Sequence, residues 1–341
     1  MTFLDSLDDE ARALLLSVAR PVSYVPTAVL VRHGEPARGA YILRTGTVEA
    51  LITLPGGESL TVATLGPGSV FGEMALVELG TCTATIRAAG PVDGWFVAHE
   101  DFRALVSQAH PAAMRVQHAV TVALAAKLAA LNQRLLACPA PEDRPARTAP
   151  PADPLAGAAR KRRPPFEALG FLPALALFSH CDVGEVEEIV AQGAWIEAAR
   201  GQCIFAAGAE ANAAYVVVRG AVEIVAACGA LERRVAVIGP GHLVGYLSVL
   251  RRARHSTSAY VREACVLLEL TADAFHETYF GGSRASARLR QAVQANLLVS
   301  MGRTNRALTR LVSLEQLGQS PARDAELEAA YHSQLATASP L

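Results

Sequence analysis

The feature that most constrains this chain is a long-range match to itself. Gly34, Tyr41, Gly46, Val48 and Glu49 recur as Gly208, Tyr215, Gly220, Val222 and Glu223, each 174 residues later. Gly66-Pro67-Gly68 and Gly72 recur as Gly239-Pro240-Gly241 and Gly245, now 173 residues on, so one residue is lost between the two blocks. A repeat of this length is a duplicated domain, not a solenoid unit. The 341 residues must therefore build one architecture twice, and a chain of that length has room for more than one core.

In the first copy, Leu14, Leu15 and Val18 sit at helical spacing and predict a short amphipathic helix over 5–19, with Asp or Ser as its cap. Short β-type runs follow at 28–31, 41–43, 48–54 and 60–65. Turn residues separate them at Gly34-Glu35-Pro36, Gly46 and Pro55-Gly56-Gly57, the punctuation of a compact barrel or jelly roll. Helical composition returns at 100–107 and 111–136. There Leu124, Leu128, Leu131 and Leu135 step by four, three and four, a seam made for another helix. Upstream the same register meets Thr121, Gln117 and Met114, so the seam is apolar only in its second half. A final helix, expected over 286–312, carries a second seam of Leu297, Met301, Thr304, Leu308 and Leu311.

Chemistry concentrates at Gly66-Pro67-Gly68-Ser69-Val70-Phe71-Gly72-Glu73-Met74-Ala75-Leu76, followed by Thr81-Cys82-Thr83-Ala84-Thr85-Ile86. A sharp turn at Gly72 presents backbone N–H groups where anions are favoured, and Glu73 beside it is an acceptor suited to a sugar hydroxyl. Together with Gly34-Glu35-Pro36, Tyr41 and Gly46-Thr47-Val48-Glu49, this stretch resembles the phosphate-binding cassette of the cyclic-nucleotide-binding domains, the module of catabolite-activator-type regulators and kinase regulatory subunits. The resemblance implies an α+β fold of two jelly-roll barrels, each followed by a long helix. It places a first domain at 1–137, a linker at 138–167, a second domain at 168–314 and a polar tail at 315–341. It also implies a cyclic nucleotide as the ligand, with Phe71, Gly72, Glu73, Met74, Ala75, Cys82, Thr83 and Ala84 as the binding positions.

Both cassettes depart from the family pattern. Cys82 stands where the family has an arginine. A charge-assisted hydrogen bond contributes ~1.5–3 kcal/mol, so losing the arginine fork weakens binding of a cyclic phosphate by ~10²-fold or more. Weak binding, a less anionic ligand and no ligand all remain open for the first pocket. Cys82 reads either as a small residue tolerated after ligand loss or as a redox-sensitive thiol favoured by anion-binding backbone. In the second cassette Tyr246 replaces Glu73 and His255 takes the arginine position, so this pocket is expected to have lost the family ligand. Arg251, Arg252 and Arg254 close by read either as a solvated turn or as cations reaching inward.

The rest of the chain narrows the function. A formal net charge of −1 and a pI near 6.8 exclude a global basic field for nucleic acid or anionic membrane. Six dispersed cysteines show no zinc or redox spacing and read as reduced thiols. With no secretory layout at the N-terminus and no apolar run nearing the ~20 residues of a membrane span, the expectation is a cytoplasmic protein. His33, Glu35 and Glu73 lack a nucleophile–base–orienter spacing, so neither catalysis nor a metal is expected. Residues 138–165 hold eight of the 19 prolines and one large aliphatic residue, Leu155. That composition predicts a disordered or extended tether, with Arg160-Lys161-Arg162-Arg163 as a solubilising run or as a contact for phosphate or a partner's acidic face. The residues after Ser313 are too few for a DNA-reading winged helix. The sequence thus reads as a non-enzymatic sensor or adaptor acting on a protein partner. Its alternatives are a ligand-independent scaffold, or a transcription regulator working through a DNA-binding partner. The seam helices are expected to pair within one chain as a pseudo-dimer or between two chains.

Overall fold

The computed structural model describes residues 2–53, 59–78, 80–107, 110–137, 144–147, 154–155, 157–164, 170–229 and 231–318. The first unit opens with α1 (Asp9–Ser17), where the Asp8 side chain accepts from the Ala11 amide as the N-cap. Strands β1 (Arg20–Tyr24), β2 (Val29–Val31), β3 (Gly39–Thr45), β4 (Val48–Thr53), β5 (Ser59–Leu65) and β6 (Val70–Phe71) follow, then a single turn of helix, α2 (Met74–Val77). Strands β7 (Thr85–Ala88) and β8 (Val92–Ala98) complete two sheets, ordered β1-β8-β3-β6 and β2-β7-β4-β5. Helices α3 (His99–Ser107) and α4 (Pro111–Ala137) close the unit.

Two short strands, β9 (Arg144–Pro145) and β10 (Arg160–Lys161), lead to the second unit. Helix α5 (Val183–Ala191) begins with a reciprocal capping box between Asp182 and Glu185. The barrel is built from β11 (Ala194–Ala198), β12 (Cys203–Phe205), β13 (Ala213–Cys228), β14 (Leu231–Ile238), β15 (Leu243–Val244), α6 (Tyr246–Leu250) and β16 (Ser258–Thr271), and ends in α7 (Ala272–Phe280) and α8 (Arg284–Gly318). The duplication survives in register. Tyr41 pairs with Phe71 between β3 and β6, and Tyr215 pairs with Val244 between β13 and β15. Likewise the Gly34 amide donates to the Cys82 carbonyl and the Gly208 amide to the His255 carbonyl, at 2.8 and 2.7 Å.

The two seam helices pack on each other within the chain. Leu124 and Leu128 of α4 join Leu297 and Met301 of α8 in a core shared by both units, and Leu135 meets Leu308 and Leu311 further along. The polar positions of the first half also have partners. Gln294 Nε2 donates to Thr121 Oγ1 at 2.9 Å and Gln294 Oε1 accepts from Gln117 Nε2 at 3.5 Å, while further along Thr304 donates to Asn132 at 2.9 Å. Buried polar pairs of this kind fix the register of two helices, which an unbroken leucine seam leaves free to slide. Helix α4 departs from one expectation, since by length and mean hydropathy (1.2 over its most apolar window) it is sufficient to cross a membrane. In this fold Val116, Val120, Leu124 and Leu128 are buried in protein.

The tether also departs from expectation wherever it is described. Strand β9 pairs with β14, and Arg144 and Arg147 both ion-pair with Glu223 and Glu232, Arg144 at 3.1 and 2.8 Å. Leu155 is 3% exposed within the second barrel's core. Strand β10 pairs with β11, placing Arg160 2.9 Å from Glu269 and Lys161 2.6 Å from Glu197. Half of the presumed solubilising run is therefore docked. The physical reason is that Glu223, Glu232 and Glu269 are buried carboxylates, which are not stable in a barrel wall without cations. The remaining linker residues and 319–341 of the expected polar tail lie outside the described residues, while 315–318 continue α8.

Candidate ligand-binding site

The first cassette hangs from β3. The Leu43 amide donates to Ser69 and the Gly68 amide to Leu43, which carries the chain into β6 and then sharply back at Gly72. Gly72 has φ +72°, and a Cβ there would lie 2.6 Å from the Gly39 carbonyl oxygen, so both conformation and space demand glycine. Beyond the turn, Glu73 enters the protein with its side chain nearly fully buried, 3% exposed as a residue. Its counter-charge is Lys127 of α4, whose Nζ lies 2.8 Å from a carboxylate oxygen and also donates to the Val70 carbonyl at 2.7 Å. The long helix thus reaches into the cassette and holds the residue expected to meet a sugar.

The other expected binding residues divide into two groups. Phe71 stacks on Tyr41 with centroids 5.0 Å apart, and the Ala75 carbonyl is engaged by His99 Nδ1, so these two shape the cassette from the core side. Met74 is half-buried and packs against the core. Across the loop, Cys82 and Ala84 are half-buried and Thr83 is exposed. The Cys82 amide donates to the Glu35 carbonyl at 2.8 Å. Burial, and after it the charge of Glu35, push the Cys82 thiol up. That is opposite to the activated thiolate one sequence reading allowed. The five described cysteines are all free, and no His, Cys, Asp and Glu cluster fit for a metal occurs among the described residues.

Lys127 is the residue that sequence reasoning missed. Its signal was compositional, because the chain has only two lysines, Lys127 and Lys161, among 31 basic residues. A compact ammonium on a flexible stem, set in an apolar helix of an arginine-using chain, marks a place where a point charge suits better than a planar fork.

The second cassette keeps the backbone and changes the chemistry. Gly245 has φ +78° and turns the chain into α6 as Gly72 does into α2. Tyr246 is buried where Glu73 carries its carboxylate. His255, 5% exposed, stacks on Phe205 with centroids 3.9 Å apart, and burial pushes its pKa down to about 4. It is therefore neutral at pH 7 and is no substitute for a cationic arginine. Arg254 turns outward to the Gly208 carbonyl and to Glu210, both at the surface.

The family model for the cyclic nucleotide-binding domain matches residues 21–109 and again 195–280, one match on each barrel. The chain belongs to the cyclic nucleotide-binding domain family. It is a tandem member, with two cyclic-nucleotide-binding jelly rolls in mixed helix-and-sheet units. Among curated relatives, acetyltransferase Pat of Mycolicibacterium smegmatis is 36% identical over 81 residues, 24% of each chain. The cyclic AMP receptor protein of Thermus thermophilus is 34% identical over 74 residues, 22% of this chain and 34% of that one. The chain thus spans a quarter to a third of the length of these relatives. Of solved structures, the regulatory domain of Toxoplasma gondii PKA with cAMP is 18% identical, covering 88% of this chain and 92% of its own, with a TM-score of 0.32.

Proposed function

We propose that this cyclic nucleotide-binding family member is a non-catalytic regulatory module whose first barrel takes a cyclic-nucleotide-type ligand weakly and relays its presence to a protein partner. The observation that carries this reading is the Glu73–Lys127 pair. Lys127 belongs to the helix that packs on α8, so a ligand whose hydroxyls take Glu73 must compete with the ammonium and alter how α4 is seated. The ligand-facing set is Gly72, Glu73, Met74, Cys82, Thr83 and Ala84, with Lys127 added and with Phe71 and Ala75 setting the shape from beneath. Cys82 supplies no charge for a phosphate, which keeps the affinity low. Partial similarity to both an acetyltransferase and a cyclic AMP receptor protein supports a control function that works on outputs of different kinds. Free thiols and near-zero net charge support action in the cytoplasm, without direct nucleic-acid contact.

The test is calorimetric titration of the full chain with cyclic AMP, cyclic GMP and cyclic dinucleotides, with Cys82→Arg run beside it. Wild type is expected to bind one of them in the micromolar range or weaker, and Cys82→Arg to bind about a hundredfold tighter. Silence from both proteins overturns the sensor reading in favour of a ligand-independent scaffold.

A further inference from the structure

The second barrel contains a cavity of about 120 Å³ behind its cassette. Phe205, Ile238, Leu243 and Val244 form apolar walls, and the His255 ring, flat against Phe205, continues them. The lid is composite. Leu128 and Asn132 come from α4 of the first unit, Ser300, Arg303 and Thr304 from α8 of the second. Into this space projects Tyr246, 4% exposed, whose hydroxyl is buried without a hydrogen-bond partner. Ser300 is the one side chain placed to offer that hydroxyl a hydrogen bond, and it stands outside hydrogen-bond geometry. A buried hydroxyl without a partner, at a cavity with apolar walls and a polar rim of Asn132, Ser300 and Thr304, suits a ligand that brings one donor or acceptor.

We propose that this cavity binds an uncharged, largely apolar small molecule bearing one hydrogen-bonding group, anchored on the Tyr246 hydroxyl. This is a ligand class distinct from the cyclic nucleotides of the family. Two features exclude a phosphate. The position that carries the family's arginine is a neutral ring stacked into the wall, and the carboxylate that would meet a ribose is a phenol. The one charged side chain lining the cavity is Arg303, exposed on α8, which leaves an anion at the cassette desolvated and unpaired. The proposal does not rest on the reading of the first barrel.

The probe is phenol, a neutral one-ring molecule with one O–H and of a size such a cavity holds, titrated calorimetrically into the full chain. Saturable binding of one probe per chain is expected. Ser300→Phe, which fills the cavity from α8, should weaken it by about tenfold or more. Tyr246→Phe, which removes one oxygen and keeps the shape, should weaken it by about three- to tenfold, and it carries the test if Ser300→Phe does not fold. Asp101→Asn, which removes an exposed ion pair of the first unit away from both pockets, should leave probe binding unchanged. No binding by wild type, or equal binding by wild type and both variants, overturns the proposal. So does displacement by micromolar cyclic AMP that persists in Glu73→Gln.

Discussion

Replacing Lys127 with methionine keeps the stem of the side chain and removes its charge, leaving Glu73 buried without the one ion partner it has among the described residues. Breaking a fully buried pair from one side costs about 3–5 kcal/mol. Here the Lys127 side chain is 34% exposed, so water already reaches one end of the pair. A loss of about 1.5–3 kcal/mol is the expected outcome. The chain has one tryptophan in each barrel, Trp95 in β8 and Trp195 in β11. Urea unfolding followed by Trp95 emission in a Trp195→Phe background therefore reports from within the first barrel. Glu73→Gln on top of Lys127→Met should recover much of the loss, because a neutral amide needs no cation. The cycle of single and double variants should give a coupling of about 1 kcal/mol or more. A loss below about 0.5 kcal/mol, or strict additivity in the cycle, would refute the claim that Lys127 neutralises a buried carboxylate.

Three further outcomes follow from the same structure. Gly72→Ala should destabilise the first barrel by about 1–3 kcal/mol in thermal or urea unfolding, since alanine meets both a positive φ and the Gly39 carbonyl. Where the linker docks on β13, burial alone would raise the Glu223 pKa, but hydrogen bonds from Arg147 and Arg144 outweigh it and hold the carboxyl below its ordinary value. The docked linker is thus held fully above the ordinary carboxylate pKa of 4.5 and loses this contribution as pH falls through the lowered one; limited proteolysis near Arg147 should accelerate in that acid window, and Glu223→Gln should weaken the dependence. His118 and His255 are both pushed down to about 4 by burial, His276 and Arg252 adding to the effect at His118. A folded pKa below the unfolded 6.5 means stability held above that pH and lost on descent toward 4, so unfolding midpoints of His255→Phe should fall less steeply across this window than those of wild type.

Much of this fold was legible because the repeat constrains it twice. The offsets of 174 and 173 fall on aligned strand pairs, Tyr41 with Phe71 and Tyr215 with Val244. The seam positions 124, 128, 297 and 301 became one shared core. The polar interruptions at Thr121 and Gln117 were legible as a break in the seam but not as its lock, because their partner, Gln294, lies more than 170 residues away. The linker was misread for a related reason. Composition counts the apolar surface a segment can bury, whereas Arg144, Arg147 and Arg160 are ordered by carboxylates on distant strands that local composition does not see. Lys127 escaped because helical periodicity sorts residues by polarity and says nothing about which buried acid a charge will find.

Lys127 and Leu128 are neighbours in the chain, yet one closes on the first barrel's Glu73 and the other lines the second barrel's cavity. Successive residues on a helix point about 100° apart, and a helix turns as a rigid rod. A roll of α4 that released Glu73 would therefore move a wall of the second barrel's cavity, and would couple occupancy of the two. Linkage then requires symmetry: whatever factor an occupant of the first pocket imposes on affinity at the second, the second imposes on the first. Paired titrations, each pocket measured with the other empty and then filled, must return the same ratio in both directions.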